Sequence, residues 1–312
     1  MIQTKGLTKD FGAVHAVRGI TLAIEPGELV AVLGPNGAGK TTTMRMLTTL
    51  IAPTSGSAEV AGHDVVRSPG EVRRRIGYVG QGNGAGHQHR VADELHSQAA
   101  IYGLSRADAR TRVGSLVEAL DLGDLVKRKV SELSGGQRRR LDVAMGLVHA
   151  PGLLFLDEPS TGLAPQNRAN LWEHILRMRA EHDMTIVLTT HYLDEADSMA
   201  ERVVIVDQGE VIADDTASSL KSKLAGDRVA FSTGSPSDLA AIVSQLPGSS
   251  EVEATDGEVR ARVADGPVAV AEVLRAAFEK GIAAGSAQTF RPTLDDVFLS
   301  LTGRSLREEN AK

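Results

Sequence analysis

Three groups of residues in this 312-residue chain have the types and spacing to handle phosphate. The first is Gly34-Pro35-Asn36-Gly37-Ala38-Gly39-Lys40-Thr41-Thr42, which fits G-x-x-x-x-G-K-[ST]. Glycines there let successive backbone N–H groups converge on phosphate oxygens where a β-carbon would intrude. Lys40 can neutralise β- and γ-phosphates, and the Thr41 hydroxyl can ligate Mg²⁺. The second is the acid pair Asp157-Glu158, which directly follows Leu153-Leu154-Phe155-Leu156. Adjacent carboxylates at a strand end are costly without a cation, so Asp157 is suited to hold Mg²⁺ and Glu158 to polarise an attacking water. The third is Leu133-Ser134-Gly135-Gly136-Gln137, where Ser134 can cap a helix whose first glycines leave backbone amides bare for a second anion.

Each group needs an element to hold it. Leu29-Val30-Ala31-Val32-Leu33 predicts a buried strand that empties into the glycine-rich loop, and Thr43-Met44-Arg45-Met46-Leu47 predicts a helix leaving it. The run before Asp157 and the run Met184 to Thr190 predict two further buried strands, the latter ending at His191. In an open α/β sheet such C-terminal strand ends are where ligands bind. Upstream, the β-like runs Ala13–Val17 and Ile20–Ile24 and the turn Glu25-Pro26-Gly27-Glu28 predict an antiparallel sheet, and Ala58–Val65 predicts a hairpin. Phe11 precedes that sheet; an aromatic there either packs on it or stacks on an adenine ring. Ile76–Val79 predicts a short strand leading to Gln81, whose amide oxygen can reach a metal or a water. Residues 82–98 are rich in Gly and His, but His87, His89 and His96 lack a rigid frame and an evident carboxylate partner, and they read as a mobile solvated loop rather than a metal site. Helical spacing from about Asp93 to Ala150, as in Val113, Leu116, Val117 and Leu120, predicts a helical subdomain inserted at about residues 83–150. Within it Arg138-Arg139-Arg140 reads as a solvated or carboxylate-paired face. Val203–Asp207 and Gly209–Ala213 predict a closing hairpin.

Composition bounds the partners. A net charge of −6 argues against nucleic-acid binding through bulk charge. The absence of cysteine excludes disulfides and thiolate zinc sites. The N-terminal Met1-Ile2-Gln3-Thr4-Lys5 has no signal-peptide core, and no apolar run nears the roughly 18–20 residues that span a bilayer. Any membrane role is expected to run through a partner.

With these motifs in line, residues 1–220 resemble the nucleotide-binding subunits of ATP-binding-cassette (ABC) proteins. The resemblance rests on a Walker A loop (Gly34 to Thr42), a Q-loop glutamine (Gln81), the signature Leu133 to Gln137, a Walker B strand with Asp157 and Glu158, and a switch histidine (His191). It implies an α/β P-loop fold with a RecA-like core, an antiparallel β subdomain and a helical subdomain. It also implies ATP and Mg²⁺ as cofactors, with Phe11 on the adenine, Thr41, Gln81 and Asp157 on Mg²⁺, and Glu158 and His191 as the catalytic pair, His191 sensing the γ-phosphate. The family logic is a head-to-tail dimer, in which the signature amides Ser134–Gly136 of a second copy cap the γ-phosphate. One departure stands out: where the family commonly has aspartate, this chain has Ala164, in Ser160-Thr161-Gly162-Leu163-Ala164-Pro165. That aspartate helps the two ATP sites communicate, so Ala164 bears on coupling rather than on ATP binding.

Residues 223–312 alternate strand and helix in the order βαββαβ, with a turn at Asp256-Gly257, followed by a closing helix. The order predicts a small α+β, ferredoxin-like domain. The segment Phe290-Arg291-Pro292-Thr293-Leu294-Asp295-Asp296-Val297-Phe298 resembles the C-terminal region of daunorubicin-resistance-type drug exporters. The resemblance therefore implies the ATPase subunit of an exporter of drugs or other hydrophobic small molecules, peripheral to the cytoplasmic side of the membrane. An integral membrane permease would dock near residues 82–102. The rivals are a soluble ABC ATPase switching a ribosome or DNA partner, which the acidic charge and single cassette disfavour, and a slowly hydrolysing regulatory binder, which Ala164 keeps open.

Overall fold

The structure is a computed structural model that describes residues 1–82 and 84–304, with backbone only for residues 224 and 225. Asn83, at the start of the expected helical and docking segments, and residues 305–312 of the expected accessory domain lie outside the described residues. The chain forms two compact units, Met1–Asp214 and Asp215–Lys312. No helix among the described residues is long and apolar enough to cross a membrane.

The first unit starts with β1 (Ile2–Phe11) and β2 (Val14–Ile24), followed by β3 (Leu29–Leu33) and α1 (Lys40–Leu47). Next come β4 (Ser55–Val60), β5 (His63–Asp64), α2 (Pro69–Arg75) and β6 (Ile76–Val79). Three helices follow: α3 (Val91–Ile101), α4 (Arg106–Ala119) and α5 (Gly135–Leu147). The unit ends with β7 (Leu153–Asp157), α6 (Pro165–His182), β8 (Thr185–Thr190), α7 (Leu193–Met199), β9 (Arg202–Asp207) and β10 (Glu210–Asp215). Six strands make the central sheet in the order β10-β9-β3-β8-β7-β6. Strands β3, β7 and β8 are buried along their whole length, which is why their sequences are apolar or β-branched runs up to Asp157, the residue that ends β7. The pairs β3–β8, β7–β8 and β6–β7 are parallel. Their C-terminal ends therefore line one edge, and the loops that follow β3, β6, β7 and β8 meet there.

A second sheet, ordered β2-β1-β4-β5, is antiparallel where β1 meets β2 and β4. The two short runs expected around Val14 and Ile20 are one strand, β2, paired to β1 through register shifts, and Ile2–Phe11 is itself a strand. Bulges at the β1–β2 pairing interrupt the apolar alternation, which hides its continuity in the sequence. The residues after Gln81 are also better anchored than a solvated loop. The carbonyls of His87 and His89 accept from Ser131 and Val130, and His89 Nδ1 sits 2.5 Å from Glu94.

The second unit opens with a short helix, α8 (Ala217–Leu220). It continues with β11 (Asp227–Thr233), α9 (Pro236–Val243), β12 (Ser250–Thr255), β13 (Glu258–Val263), α10 (Gly266–Glu279), β14 (Ala284–Phe290) and α11 (Leu294–Thr302). The antiparallel sheet runs β12-β13-β11-β14, the ferredoxin-like arrangement expected from the βαββαβ order. Val229, Phe231, Val259 and Val263 face Leu239, Ile242 and Val273 in its core. On these strands Arg228, Arg260 and Arg262 alternate with the core positions and pair with Asp296, Glu258 and Glu251.

His149, just past α5, stacks on Tyr102 at 3.7 Å between ring centroids and donates from Nε2 to the carbonyl of Ile76, which opens β6. Its Nδ1 is buried without a hydrogen-bond partner, so the neutral ring fits and burial pushes its pKa below the usual 6.5. Between the folded and unfolded values the unfolded ring binds more protons. Its contribution to stability is thus present above pH 6.5 and is lost as pH falls toward the depressed folded value. Burial depresses His174 in the same direction. Chemical denaturation between pH 7 and 5 is expected to show falling stability, with a shallower slope for His149→Phe; identical slopes would contradict this account.

Candidate functional site

The glycine-rich loop leaves β3 and closes under Lys40. A β-carbon on Gly34 would lie 2.1 Å from the carbonyl oxygen of Val206, and one on Gly39, at φ +101°, would lie 2.6 Å from that of Ala16. Both positions therefore require glycine, which lets the loop pass tightly against the backbone of Val206 and Ala16. Helix α1 begins without a side-chain cap on its first amides, which leaves a positive helix end for an anion. The Lys40 ammonium donates to the carbonyls of Gly34 (2.6 Å) and Pro35 (3.0 Å). Burial lowers its pKa, and the charges of Glu158 and Asp157 oppose that shift.

The end of β7 meets this loop directly. Asp157 Oδ1 accepts from the hydroxyls of Thr41 (3.0 Å) and Thr189 (2.6 Å), while Oδ2 is buried with no hydrogen-bond partner. Gln81 Nε2 donates to Thr41 Oγ1 at 3.1 Å. Glu158 takes φ +48°, a left-handed backbone rare outside glycine, and its N–H donates to both the carbonyl and the hydroxyl of Thr189. That turn aims its carboxylate at the cleft, where Oε2 accepts from Thr161 at 3.1 Å and lies 3.3 Å from His191 Nδ1. An open cleft of ≈ 610 Å³ is lined by Lys40, Thr41, Gln81, Glu158, Gln208 and Phe11, among others. Phe11 is 50% exposed at its rim, with the Lys9 ammonium 5.2 Å from its ring centroid. Phe11, Gly34 to Thr42, Gln81, Asp157, Glu158 and His191 thus gather at one edge of the sheet.

The signature does not join them within one chain. Ser134 caps α5, accepting from the Gln137 N–H while the Gln137 side chain accepts from the Ser134 N–H. Leu133, Ser134, Gly135, Gly136 and Gln137 are not among the residues lining the cleft, and Ser134 and Gly135 face solvent.

Several contributors escaped sequence reasoning. Thr189 sits in a buried strand and has no motif to mark it. Glu195 is buried and accepts from the hydroxyls of Ser160 and Thr190, with Arg168 3.6 Å away. The Arg168 guanidinium lies 3.8 Å over the Tyr192 ring, which touches His191. This cluster ties the segment after Glu158 to the His191 tip. The three arginines of α5 follow the carboxylate-paired reading only in part: Arg140 pairs with the Asp121 carboxylate, but Arg138 donates to the carbonyl of Val130, Arg140 also to those of Leu120 and Asp121, and Arg139 is buried. A run of basic residues cannot announce carbonyl acceptors that only the tertiary fold brings near.

Residues 17–161 match the ABC transporter family, and residues 216–302 match the C-terminal domain of DrrA1-3-like ATP-binding proteins. The chain is 40% identical, over all of its length and 98% of the relative's, to the daunorubicin resistance ATP-binding protein DrrA2 of Streptomyces coeruleorubidus. It is 33% identical, over 99% of its length and 100% of the relative's, to the linearmycin resistance ATP-binding protein LnrL of Bacillus subtilis. Among solved structures, an ATP-binding subunit of an ABC transporter aligns with a TM-score of 0.64 and 27% identity, covering 71% of this chain and 92% of that one.

Thr189→Val preserves shape but removes both the bond to Asp157 and the hydroxyl acceptor for the Glu158 N–H. It is expected to reduce the unfolding free energy by ~1–3 kcal/mol, the cost of stranding a buried polar group. An unchanged denaturation midpoint would show that Thr189 does not hold the acid pair.

Proposed function

Since the chain belongs to the ATP-binding subunits of ABC exporters, of the daunorubicin-resistance kind, we propose that it powers efflux of drugs or similar hydrophobic molecules through a separate membrane permease. The observation that carries the site reading is the separation of the two anion-binding elements. Lys40, Thr41, Gln81 and Glu158 line one cleft, with Asp157 bonded to Thr41 and His191 3.3 Å from Glu158, whereas no residue from Leu133 to Gln137 lines it and the exposed Ser134–Gly135 turn would serve a nucleotide held by another chain.

ATP would lie on the Gly34–Thr42 loop with its adenine on Phe11, and Lys40 would leave its two carbonyls for the β- and γ-phosphates. Thr41, Gln81 and Asp157 would hold Mg²⁺. The oxygen donors and the buried, unpartnered Asp157 Oδ2 suit a small hard cation, which neutralises charge on the phosphates when bound. Glu158, aimed by its left-handed backbone and steadied by Thr161, would accept a proton from the attacking water. His191, 3.3 Å from that carboxylate, would hold the γ-phosphate in place. Ser134 to Gly136 of a second copy would close the site head-to-tail. Hydrolysis removes the bridging phosphate and reopens the pair. The permease would seat at the segment after Gln81, on the cytoplasmic side of the membrane.

Ala164 favours a weakly coupled variant of this cycle. It stands at the N-cap of α6 with no side-chain cap, where the family's aspartate would supply an acceptor.

Turnover and size-exclusion measurements test these roles. Glu158→Gln is expected to abolish most hydrolysis and accumulate an ATP-bound dimer; undiminished turnover would remove Glu158 from the mechanism. Lys40→Ala is expected to lose ATP binding. Ala164→Asp should stabilise the fold by ~0.5–2 kcal/mol through the restored cap. It should also raise the Hill coefficient for ATP, and an unchanged coefficient would separate the cap from site-to-site coupling.

A further inference from the structure

The helix that starts at the signature carries a buried pair of opposite charges, Arg139 and Asp142, that the hydrolytic scheme leaves without a role. Arg139 is 7% exposed and Asp142 6% exposed. Every guanidinium hydrogen bond goes to a backbone carbonyl of the hydrolytic edge. Nε donates to Pro159 at 2.6 Å, Nη1 to Gly80 at 2.7 Å, and Nη2 to Asp157 and Glu158 at 3.3 and 3.4 Å. Asp142 reaches the same region from one turn along: its Oδ1 accepts from the Gly84 N–H at 3.0 Å, and its Oδ2 lies 4.0 Å from Arg139 Nη1.

Gln81 lies between the two anchored backbone groups. The carbonyl of Gly80, one residue before it, is held by Arg139, and the amide of Gly84, three residues after it, is held by Asp142. We infer that Arg139 and Asp142 are positioning residues that bracket the Gln81 loop and lock it, with the Asp157–Pro159 backbone, to the signature helix. The signature that serves the partner copy's nucleotide then cannot move without moving the glutamine and glutamate that serve this copy's own. A lysine cannot replace the arginine. One ammonium lacks the planar fork that spans Gly80 on one side and Pro159 on the other. Burial penalises both charges, lowering the arginine pKa and raising the aspartate pKa, and each charge is the other's main carboxylate or arginine compensation. A pair kept at that cost serves geometry, since a hydrophobic pair in its place is often no less stable.

This inference rests on the reading that Gln81 and Glu158 serve hydrolysis, and the experiment keeps the two apart. With the full-length protein and Mg²⁺-ATP, kcat, KM and equilibrium ATP affinity are measured for Arg139→Lys, Asp142→Ala, Gln81→Ala and the two doubles with Gln81→Ala. Arg139→Lys is expected to lower kcat about 100-fold, the scale of a misplaced catalytic group. Asp142→Ala should lower it about tenfold, with KM and ATP affinity within about twofold in both. In each double the loss should not exceed that of the more damaged single variant, because both changes disable one loop. Multiplying losses, or losses in ATP affinity that match those in kcat, would overturn the bracket. Arg139→Lys that fails to fold leaves Asp142→Ala to decide by the same criteria. Full turnover in Glu158→Gln would instead overturn the hydrolytic reading itself.

Discussion

A carboxylate buried at the end of a parallel strand governs this molecule. Asp157 has little solvent to stabilise its charge, and isolated burial of such a group is prohibitive. Its surroundings answer the problem from three directions. Thr41 brings a hydroxyl from the phosphate loop, Thr189 brings another from β8, and Arg139 brings a cation whose fork grips the backbone around it. Each donor belongs to a different element. The order β3-β8-β7-β6 is what delivers them side by side, so the topology of the central sheet and the electrostatics of one oxygen pair are a single constraint.

Glu158 inherits its placement from that arrangement. Its left-handed backbone is uncomfortable for a residue with a β-carbon, and the two bonds from its N–H to Thr189 hold it there. The strain keeps the carboxylate out of the buried strand and beside His191. Beyond it, the Ser160–Glu195–Thr190 bonds and Arg168 extend the same rigidity to the His191 tip. The hydrolytic edge is therefore a braced rim, whereas at the head of α5 Ser134 and Gly135 face solvent.

The parts of this architecture that sequence reveals are those in which chemistry and chain order coincide. Gly34 to Thr41 and Leu153 to Glu158 can be read because each runs continuously from strand to functional residue, so spacing carries the geometry. The βαββαβ order after residue 223 can be read for a similar reason: its apolar period changes cleanly and Asp256-Gly257 marks a turn. Thr189, Glu195 and Arg139 act on groups distant in sequence, 35 residues from Ser160 to Glu195 and 59 from Gly80 to Arg139, and no local pattern distinguishes them from ordinary strand or surface residues. Bulges in β1 and β2 broke the alternation that would have shown two long strands. The loop after Gln81 misleads in the opposite sense: its glycines suggest freedom, while its His87 and His89 carbonyls are paired to residues 130–131.

The lysine of the phosphate loop has an energetic consequence. Its ammonium donates to the carbonyls of Gly34 and Pro35, so the loop ties its own cation back onto its own backbone. Any phosphate that recruits this lysine would compete with those two carbonyls for it, and its affinity would be the difference between two sets of contacts. The backbone carbonyls of the loop thereby become part of what sets the strength of binding, although they are acceptors that no anion can touch.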